Sequence, residues 1–147
     1  LLVMIIAVIS IKIALTRDLK LNKEIVFVKT KSGEFALKVV LKARASRFVE
    51  KILLVDRLPP LVKLYERFGP NPPNKIDEKT RRVEWNLENL QRGEERVFTY
   101  LIYSKIAPIG KYELPTAMAV YERDGKIHES QSNKVFFLGE QVIKQEE

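Results

Sequence analysis

Few side chains in this sequence could do acid–base chemistry. His128 is the only histidine, and Glu129 follows it directly. Such a pair supports catalysis only when both groups and a third partner face one pocket. Adjacent residues of a strand point to opposite faces of a sheet. We therefore expect His128 to be an ordinary strand residue rather than half of a catalytic pair.

Metal chemistry is restricted as well. The absence of Cys removes thiolate sites, and a single His removes sites built on two histidines. Asp56 could seed a Ca²⁺ site with Asp77, Glu78 or Asp124, but the sequence contains no D-x-D-x-D-G run typical of a calcium loop. We expect turn or cap roles for these acids, with neither a metal nor another cofactor.

A hydrolase acting on surface polysaccharide would need two carboxyl groups about 5–9.5 Å apart. The acidic residues of this chain are instead spread over turns and the exposed positions of strands. Active sites concentrate such groups in one pocket. A non-catalytic protein is the favoured expectation, and the hydrolase remains an alternative.

The basic residues offer a binding surface. Residues 1–73 carry 14 basic and 6 acidic side chains, whereas residues 74–147 carry 12 and 13. Within the first half, Lys38, Lys42 and Arg44 fall on one face of a predicted strand, with no aromatic residue among them. Nucleic-acid recognition usually interleaves aromatic and basic residues, so we expect none here. The favoured reading of the basic excess is a solvated lysine-rich surface without such a ligand. The alternative is that these three residues form an interaction surface for an anionic ligand, with a protein partner or self-association also expected for the chain.

The first sixteen residues bear on localisation. Residues 1–9 are all apolar, and fifteen helical residues would span about 22 Å of a hydrocarbon core about 30 Å thick. Lys12 lies close enough to the end to reach the headgroups. From Ile9 to Leu15, however, apolar residues alternate as in a strand. We expect residues 1–16 to form a membrane anchor or signal-anchor, with a strand or a processed signal as alternatives, and the protein to lie at the extracytoplasmic face or to be secreted.

The elements that must position these residues are strands. Runs with period-two alternation recur between turn signals, and no long amphipathic helix is evident. Asp124-Gly125 is the strongest hairpin signal. We expect an immunoglobulin-like β-sandwich of about seven or eight strands over residues 25–139, preceded by a linker over residues 17–24 and followed by a polar tail over residues 140–147.

Aromatic residues cluster around the predicted core. Trp85 is the only tryptophan, and a sandwich of this size commonly buries one between its sheets. In the later run "ERVFTYLIYSK", only one alternate face can be buried. We therefore expect one of Tyr100 and Tyr103 in the core and the other on an amphipathic edge.

Several motifs occur in an order that resembles a known family. They are "DRLPP" closing a strand, "VEWNLENLQRGEE", "YLIYSK", "YERDG" and "SQSNKVFF". Together they resemble the immunoglobulin-like conserved-repeat domain of archaeal and bacterial secreted or membrane-attached surface proteins. The resemblance implies an extracytoplasmic spacer, adhesion or assembly module without catalytic residues.

The abundance of Lys, Arg and Glu without Cys also fits the composition of thermostable proteins.

An assembly subunit is the second reading of the same pattern. The alternation from Ile9 to Leu15 would suit a strand that pairs with the open sheet edge of a neighbouring copy. Such strand addition would give an oligomer or a filament.

Overall fold

The computed structural model describes residues 18–31, 34–66, 68–105 and 110–138. The expectations for residues 1–16 and for the tail at 140–147 lie outside these ranges. No helix that could cross a membrane occurs in the described ranges. Every regular element there is a β-strand, so the predicted all-β class is confirmed.

Eleven strands are described. Seven have six or more residues: β1 (Leu19–Lys29), β2 (Phe35–Ala45), β3 (Val49–Arg57), β6 (Arg82–Leu90), β7 (Glu95–Ser104), β9 (Met118–Arg123) and β10 (Lys126–Gln131). Four are shorter: β4 (Lys63–Tyr65), β5 (Lys75–Asp77), β8 (Lys111–Leu114) and β11 (Val135–Leu138). The seven long strands agree with the seven or eight that the sequence predicts. Of the short ones, β4 and β5 extend the two main sheets, whereas β8 and β11 pair with each other.

Two main sheets form a sandwich. The first is four-stranded in the order β1-β2-β7-β4, and the second is five-stranded in the order β10-β9-β3-β6-β5. All neighbours pair antiparallel. Placing β1, β2 and β7 opposite β3, β6, β9 and β10 is an immunoglobulin-like arrangement, as expected. Strands β8 and β11 form a separate antiparallel pair.

The core lies between the two main sheets. The rings of Trp85 on β6 and of Phe98 and Tyr100 on β7 join them, with Trp85 5.5 Å from Phe98 and 6.1 Å from Tyr100 between centroids. All three side chains are buried, so the expectation of a core tryptophan is confirmed. The Trp85 indole N–H donates to the carbonyl of Asn71 at 3.1 Å, which satisfies its one polar group.

Strand β1 begins earlier than the sequence predicts. Residues 19–24 were expected to be part of a linker, but β1 starts at Leu19 and pairs with β2 along its length. Leu19 and Leu21 are buried, and Lys23 on the same side is buried too. A lysine at an inward position breaks the apolar alternation, so the stretch looks polar in the sequence although it belongs to the sandwich.

The long connection between β3 and β6 contains two short strands. β3 ends at Arg57, just before Pro59 and Pro60, because proline cannot donate to the ladder. In the next segment, Lys63–Tyr65 forms β4. Within the proline-rich stretch at 70–80, residues 75–77 pair with β6 as β5.

The predicted hairpin at Asp124-Gly125 is confirmed. It joins β9 to β10, and its two residues have φ of 51° and 74°. Positive φ at both central positions is what a tight turn matching the strand twist requires. The turn brings Lys126 directly opposite Arg123.

Candidate interaction surface

The outward face of the four-stranded sheet carries most of the candidate binding residues. Its side chains are ordered by strand register, because residues directly paired across a sheet point to the same side. One row across β1, β2, β7 and β4 consists of Val28, Ala36, Tyr103 and Lys63. The next row consists of Val26, Lys38, Leu101 and Tyr65.

The three basic residues singled out in the sequence lie on this outward face, on β2. Lys38 and Arg44 are exposed, and Lys42 is partly exposed. Lys42 lies 3.6 Å from a carboxylate oxygen of Glu24 on β1, so part of its charge is neutralised locally. Among the described residues, Lys38 and Arg44 form no ion pair within 4 Å.

A groove occupies one end of the outward face, with a volume of about 550 Å³. Its floor is apolar and includes Val28, Ala36 and Leu101. Tyr65 and Tyr103 lie along it and contact each other edge to face, with ring centroids 6.4 Å apart. Tyr103 is thus the outward member of the Tyr100–Tyr103 pair, as expected.

The charges around the groove are mainly positive. Lys63 and Lys105 line it, and both are exposed. Lys38 lies in the adjoining row, opposite Leu101. Glu34 is the one acidic residue of the lining. An apolar floor with two tyrosines and lysines at the rim suits a partner with an apolar or planar portion and negative charge.

A second group of charged residues is buried in the sandwich instead. Lys23 on β1 and Asp56 on β3 are ion-paired at 2.9 Å, and neither side chain is exposed. The Tyr100 hydroxyl donates to the other carboxylate oxygen of Asp56 at 2.5 Å, and the backbone N–H of Arg57 donates to the first at 2.9 Å. The Lys23 ammonium also donates to the carbonyl of Pro115 at 2.6 Å.

Burial controls the acid–base behaviour of this cluster. Loss of hydration raises the pKa of Asp56, although Lys23, Tyr100 and the Arg57 N–H counteract the rise. Burial and the neighbouring Asp56 carboxylate raise the pKa of Tyr100 well above its ordinary value. Each charged group has partners inside the sandwich, so the cluster acts as an internal connection between the two sheets.

Asn133 lies at the outer edge of β1 and bonds the backbone of Lys23. Its side-chain oxygen accepts from the Lys23 backbone N–H at 2.8 Å, and its side-chain nitrogen donates to the Lys23 carbonyl at 3.0 Å. The amide thus takes the place of a neighbouring strand at this residue. Asn71 likewise bonds the backbone of β7, because its side-chain nitrogen donates to the carbonyl of Val97 at 3.0 Å.

The remaining acidic candidates do not converge. Asp77 caps a turn by accepting from the backbone N–H groups of Lys79 and Thr80, and these bonds lower its pKa. Asp124 lies in the hairpin turn. The expectation of a turn or cap role is therefore right for these two and wrong for Asp56, which lies in the core. In the part of the chain that the structure describes, no three His, Asp or Glu side chains gather as a metal site would require.

His128 lies on β10, the outer strand of the five-stranded sheet. Its ring stacks on Tyr121 of β9, with centroids 5.7 Å apart. Glu129, its neighbour in the chain, pairs with Val120 rather than with Tyr121. The histidine is thus placed as an ordinary strand residue, as predicted.

Neither the groove nor the buried cluster could be predicted from residues that are neighbours in the sequence. The groove needs β4 to pair with β7, which brings Lys63 beside Tyr103. The buried cluster needs β1, β3 and β7 to meet across the core. The only sequence signal for the cluster is a lysine at an inward position of an otherwise alternating strand.

Comparisons with known proteins show the fold alone. An inactive D437A mutant of the GH20 exo-β-N-acetylglucosaminidase from Vibrio harveyi matches 80% of this chain at 11% identity and a TM-score of 0.54. The chain spans only 18% of that enzyme. BslA, a bacterial hydrophobin, matches 82% of this chain and 93% of its own length at 13% identity and a TM-score of 0.51. No protein-family model and no curated protein sequence matches the chain.

Proposed function

We propose that this protein is a non-catalytic surface module at the extracytoplasmic face of a membrane, tethered by its apolar N-terminal segment, that binds an acidic segment of a partner protein. The observation that carries the proposal is the groove on the outward face, where Tyr65 and Tyr103 lie between exposed lysines. The ordered motifs that resemble surface-protein domains support the same role.

The groove suits an extended polypeptide better than a compact ligand. It opens on the outward face of the sheet rather than within the sandwich, and its lining comes from all four strands of that sheet. Lys38, Lys63 and Lys105 provide positive charge along its rim. Complementary charge steers association and fixes the partner's register, while the tyrosines provide contact area.

A charge-reversal experiment tests the binding surface. Fluorescent poly-L-glutamate is the probe, and its anisotropy is followed as the full chain is added in detergent. We expect Lys63→Glu and Lys38→Glu each to weaken binding by about tenfold, since reversal turns attraction into repulsion. Lys79→Glu is the matched control, because this exposed lysine lies in the turn between β5 and β6 of the other sheet. An equal loss in the control, or no binding by the unaltered chain, would contradict the proposal.

The location is tested separately. Protease added to intact cells is expected to digest the sandwich, whereas a full-length protein recovered in the soluble cytoplasmic fraction would contradict a surface location. This result does not depend on the partner.

A second candidate is an assembly subunit that accepts a strand from a neighbouring copy. The supporting observation is that β1 is an outer strand of its sheet and exposes Val26 and Phe27, which lie beyond the Lys23 backbone groups that Asn133 occupies. Exposed apolar edge strands are sites of strand addition. If a chain starting at Asp18 assembles as well as the complete chain, this candidate fails. The polysaccharide hydrolase gains no support from the two carboxylates that are buried in the described part of the chain, because Asp18 and Asp56 are each paired with a different basic residue.

A further inference from the structure

The end of the sandwich at which Asp18 enters carries a second surface, distinct from the groove. The Asp18 carbonyl accepts from the backbone N–H of Ser46 at 2.8 Å, and its buried carboxylate is 2.6 Å from Arg123. The turn at 46–48 and the hairpin at Asp124-Gly125 therefore lie beside the point where the chain enters. We call this region the Asp18 end.

The turn between β6 and β7 belongs to the same end. The N–H of Gly93 donates to the carbonyl of Ala45 at 2.8 Å, and the N–H of Ala45 donates to the carbonyl of Glu94 at 3.0 Å. Ala45 is itself paired with Leu19, the residue after Asp18. Three turns of the sandwich thus gather around the entry of the N-terminal segment.

Apolar side chains are exposed at the Asp18 end. Phe48 is 45% exposed and Ile127 is 72% exposed. Phe48 lies with Arg47 and Gly125 along one shallow hollow of about 370 Å³. Ile127 follows within two residues of the same hairpin. Both side chains are large, and neither contributes to the core between the sheets.

Basic residues outnumber acidic ones at this end by eight to six over residues 18–20, 44–51, 91–96 and 122–126. Asp18 and Asp124 lie 2.6 and 3.5 Å from Arg123, and Glu122–Lys51 and Glu94–Arg96 are ion pairs at 3.3 and 3.4 Å. Glu50, which lines the hollow with Phe48, and Glu95 form no ion pair within 4 Å with a described residue. Arg47, Arg92 and Lys126 are exposed, and no described residue forms an ion pair with them within 4 Å.

We propose that the Asp18 end rests on the anionic lipid surface of the membrane, with Arg47, Arg92 and Lys126 against the headgroups and Phe48 and Ile127 in the interfacial layer. The inference rests on the tether of the proposed function, because seventeen largely apolar residues lead directly to this end. Basic side chains near an anionic bilayer are attracted to it, and amphipathic or aromatic residues favour its interface.

The geometry restricts the contact to this end. The strand β6 runs nine residues from Arg82 to the turn at 91–94, a length of about 30 Å. Groups at the opposite end therefore lie several Debye lengths, of about 8 Å each, from a surface that touches the Asp18 end.

Site-specific labelling tests the orientation, because the chain contains no Cys. Ile127→Cys places an environment-sensitive dye at the Asp18 end, and Glu78→Cys places it in the exposed turn at the opposite end. The full-length chain is reconstituted in phosphatidylglycerol-rich vesicles that contain a headgroup-labelled quencher lipid. We expect strong quenching of the dye at position 127 and little at position 78.

Charge reversal tests the electrostatic part. Arg47→Glu/Arg92→Glu is expected to reduce quenching at position 127 to about half or less in anionic vesicles, with no change in zwitterionic ones. Lys75→Glu/Lys79→Glu is the control with the same charge change at the opposite end, and it should leave quenching unaltered. Fluorescence of the buried Trp85 verifies that each variant is folded.

The outcomes separate the two proposals. If the chain does not float with vesicles in a density gradient, the tether fails, and the lipid contact fails with it. If the chain floats but the dyes at 127 and 78 are quenched equally, the lipid contact is overturned while the tether stands. If both double variants behave alike, the assignment of the basic residues is wrong.

Discussion

The Lys23 ammonium lies 2.9 Å from the Asp56 carboxylate, and this ion pair connects β1 of one sheet to β3 of the other with no exposure of either side chain. Removing charges from water is costly, so the arrangement is stable only because further hydrogen bonds satisfy both groups. Tyr100, Pro115 and the Arg57 N–H supply those bonds. The pair is accordingly a structural device whose loss should affect the whole sandwich.

Removing one partner of the pair should therefore be strongly destabilising. Lys23→Met leaves the Asp56 carboxylate buried without its cation, and we expect a loss of about 3–5 kcal/mol in the free energy of unfolding. Lys42→Met, which breaks the exposed pair with Glu24, should cost about 1 kcal/mol or less. Urea unfolding measures both. The double variant Lys23→Met/Asp56→Leu should regain part of the lost stability, and no recovery would argue against charge burial as the cause.

Because the pKa of Tyr100 is raised, we expect the folded protein to lose stability in alkali. The fold keeps the hydroxyl proton at a pH where the unfolded chain releases it. Stability contributed by this group is complete below the unfolded pKa of about 10 and falls as pH rises above it. The free energy of unfolding, measured from about pH 8 to about pH 11, should show this decline.

Tyr100→Phe is the variant that isolates this effect. It should be less stable at neutral pH by about 1–3 kcal/mol, because Asp56 loses a hydrogen bond, but its stability should fall less steeply in alkali. Tyr112 and Tyr121 also have raised pKa values, so some decline remains. Parallel curves for the variant and the unaltered protein would show that Tyr100 does not control the alkaline loss.

Asn133 should protect the edge of β1. Asn133→Ala removes both bonds to the Lys23 backbone, and we expect faster hydrogen exchange at the Lys23 amide and a loss of about 1–3 kcal/mol. Asn22→Ala is a suitable control, because among the described residues the Asn22 side chain bonds the Glu24 side chain and not the backbone of β1. Unchanged exchange at Lys23 in the Asn133 variant would contradict this role.

Trp85 provides a direct probe of the core. Its fluorescence should resist quenching by iodide and acrylamide in the folded protein, because its side chain is 1% exposed. Trp85→Ala should cost about 3–5 kcal/mol through the cavity it leaves against Phe98 and Tyr100. Phe136→Ala, at a 45% exposed position, should cost much less when both are compared by thermal unfolding.

The sequence alone determined the class of fold and many of its elements. Period-two alternation places Phe35 and Leu37 in the core and Lys38 outside, because successive strand residues face opposite sides. Asp124-Gly125 specifies a hairpin through its backbone conformation, and Pro59-Pro60 marks where β3 must have ended. These signals act within a few residues, so they can be read locally.

Only the tertiary structure decided where distant residues meet. Lys23 looks like a surface lysine until β3 brings Asp56 against it, and the groove exists only because β4 pairs with β7 beside Tyr103. The prediction of a linker was wrong over residues 19–24 for the same reason: an inward lysine is stable in this strand only with a carboxylate from another strand. Local pattern fixes which face a side chain occupies, whereas long-range packing decides whether that face meets solvent, a charge or a partner.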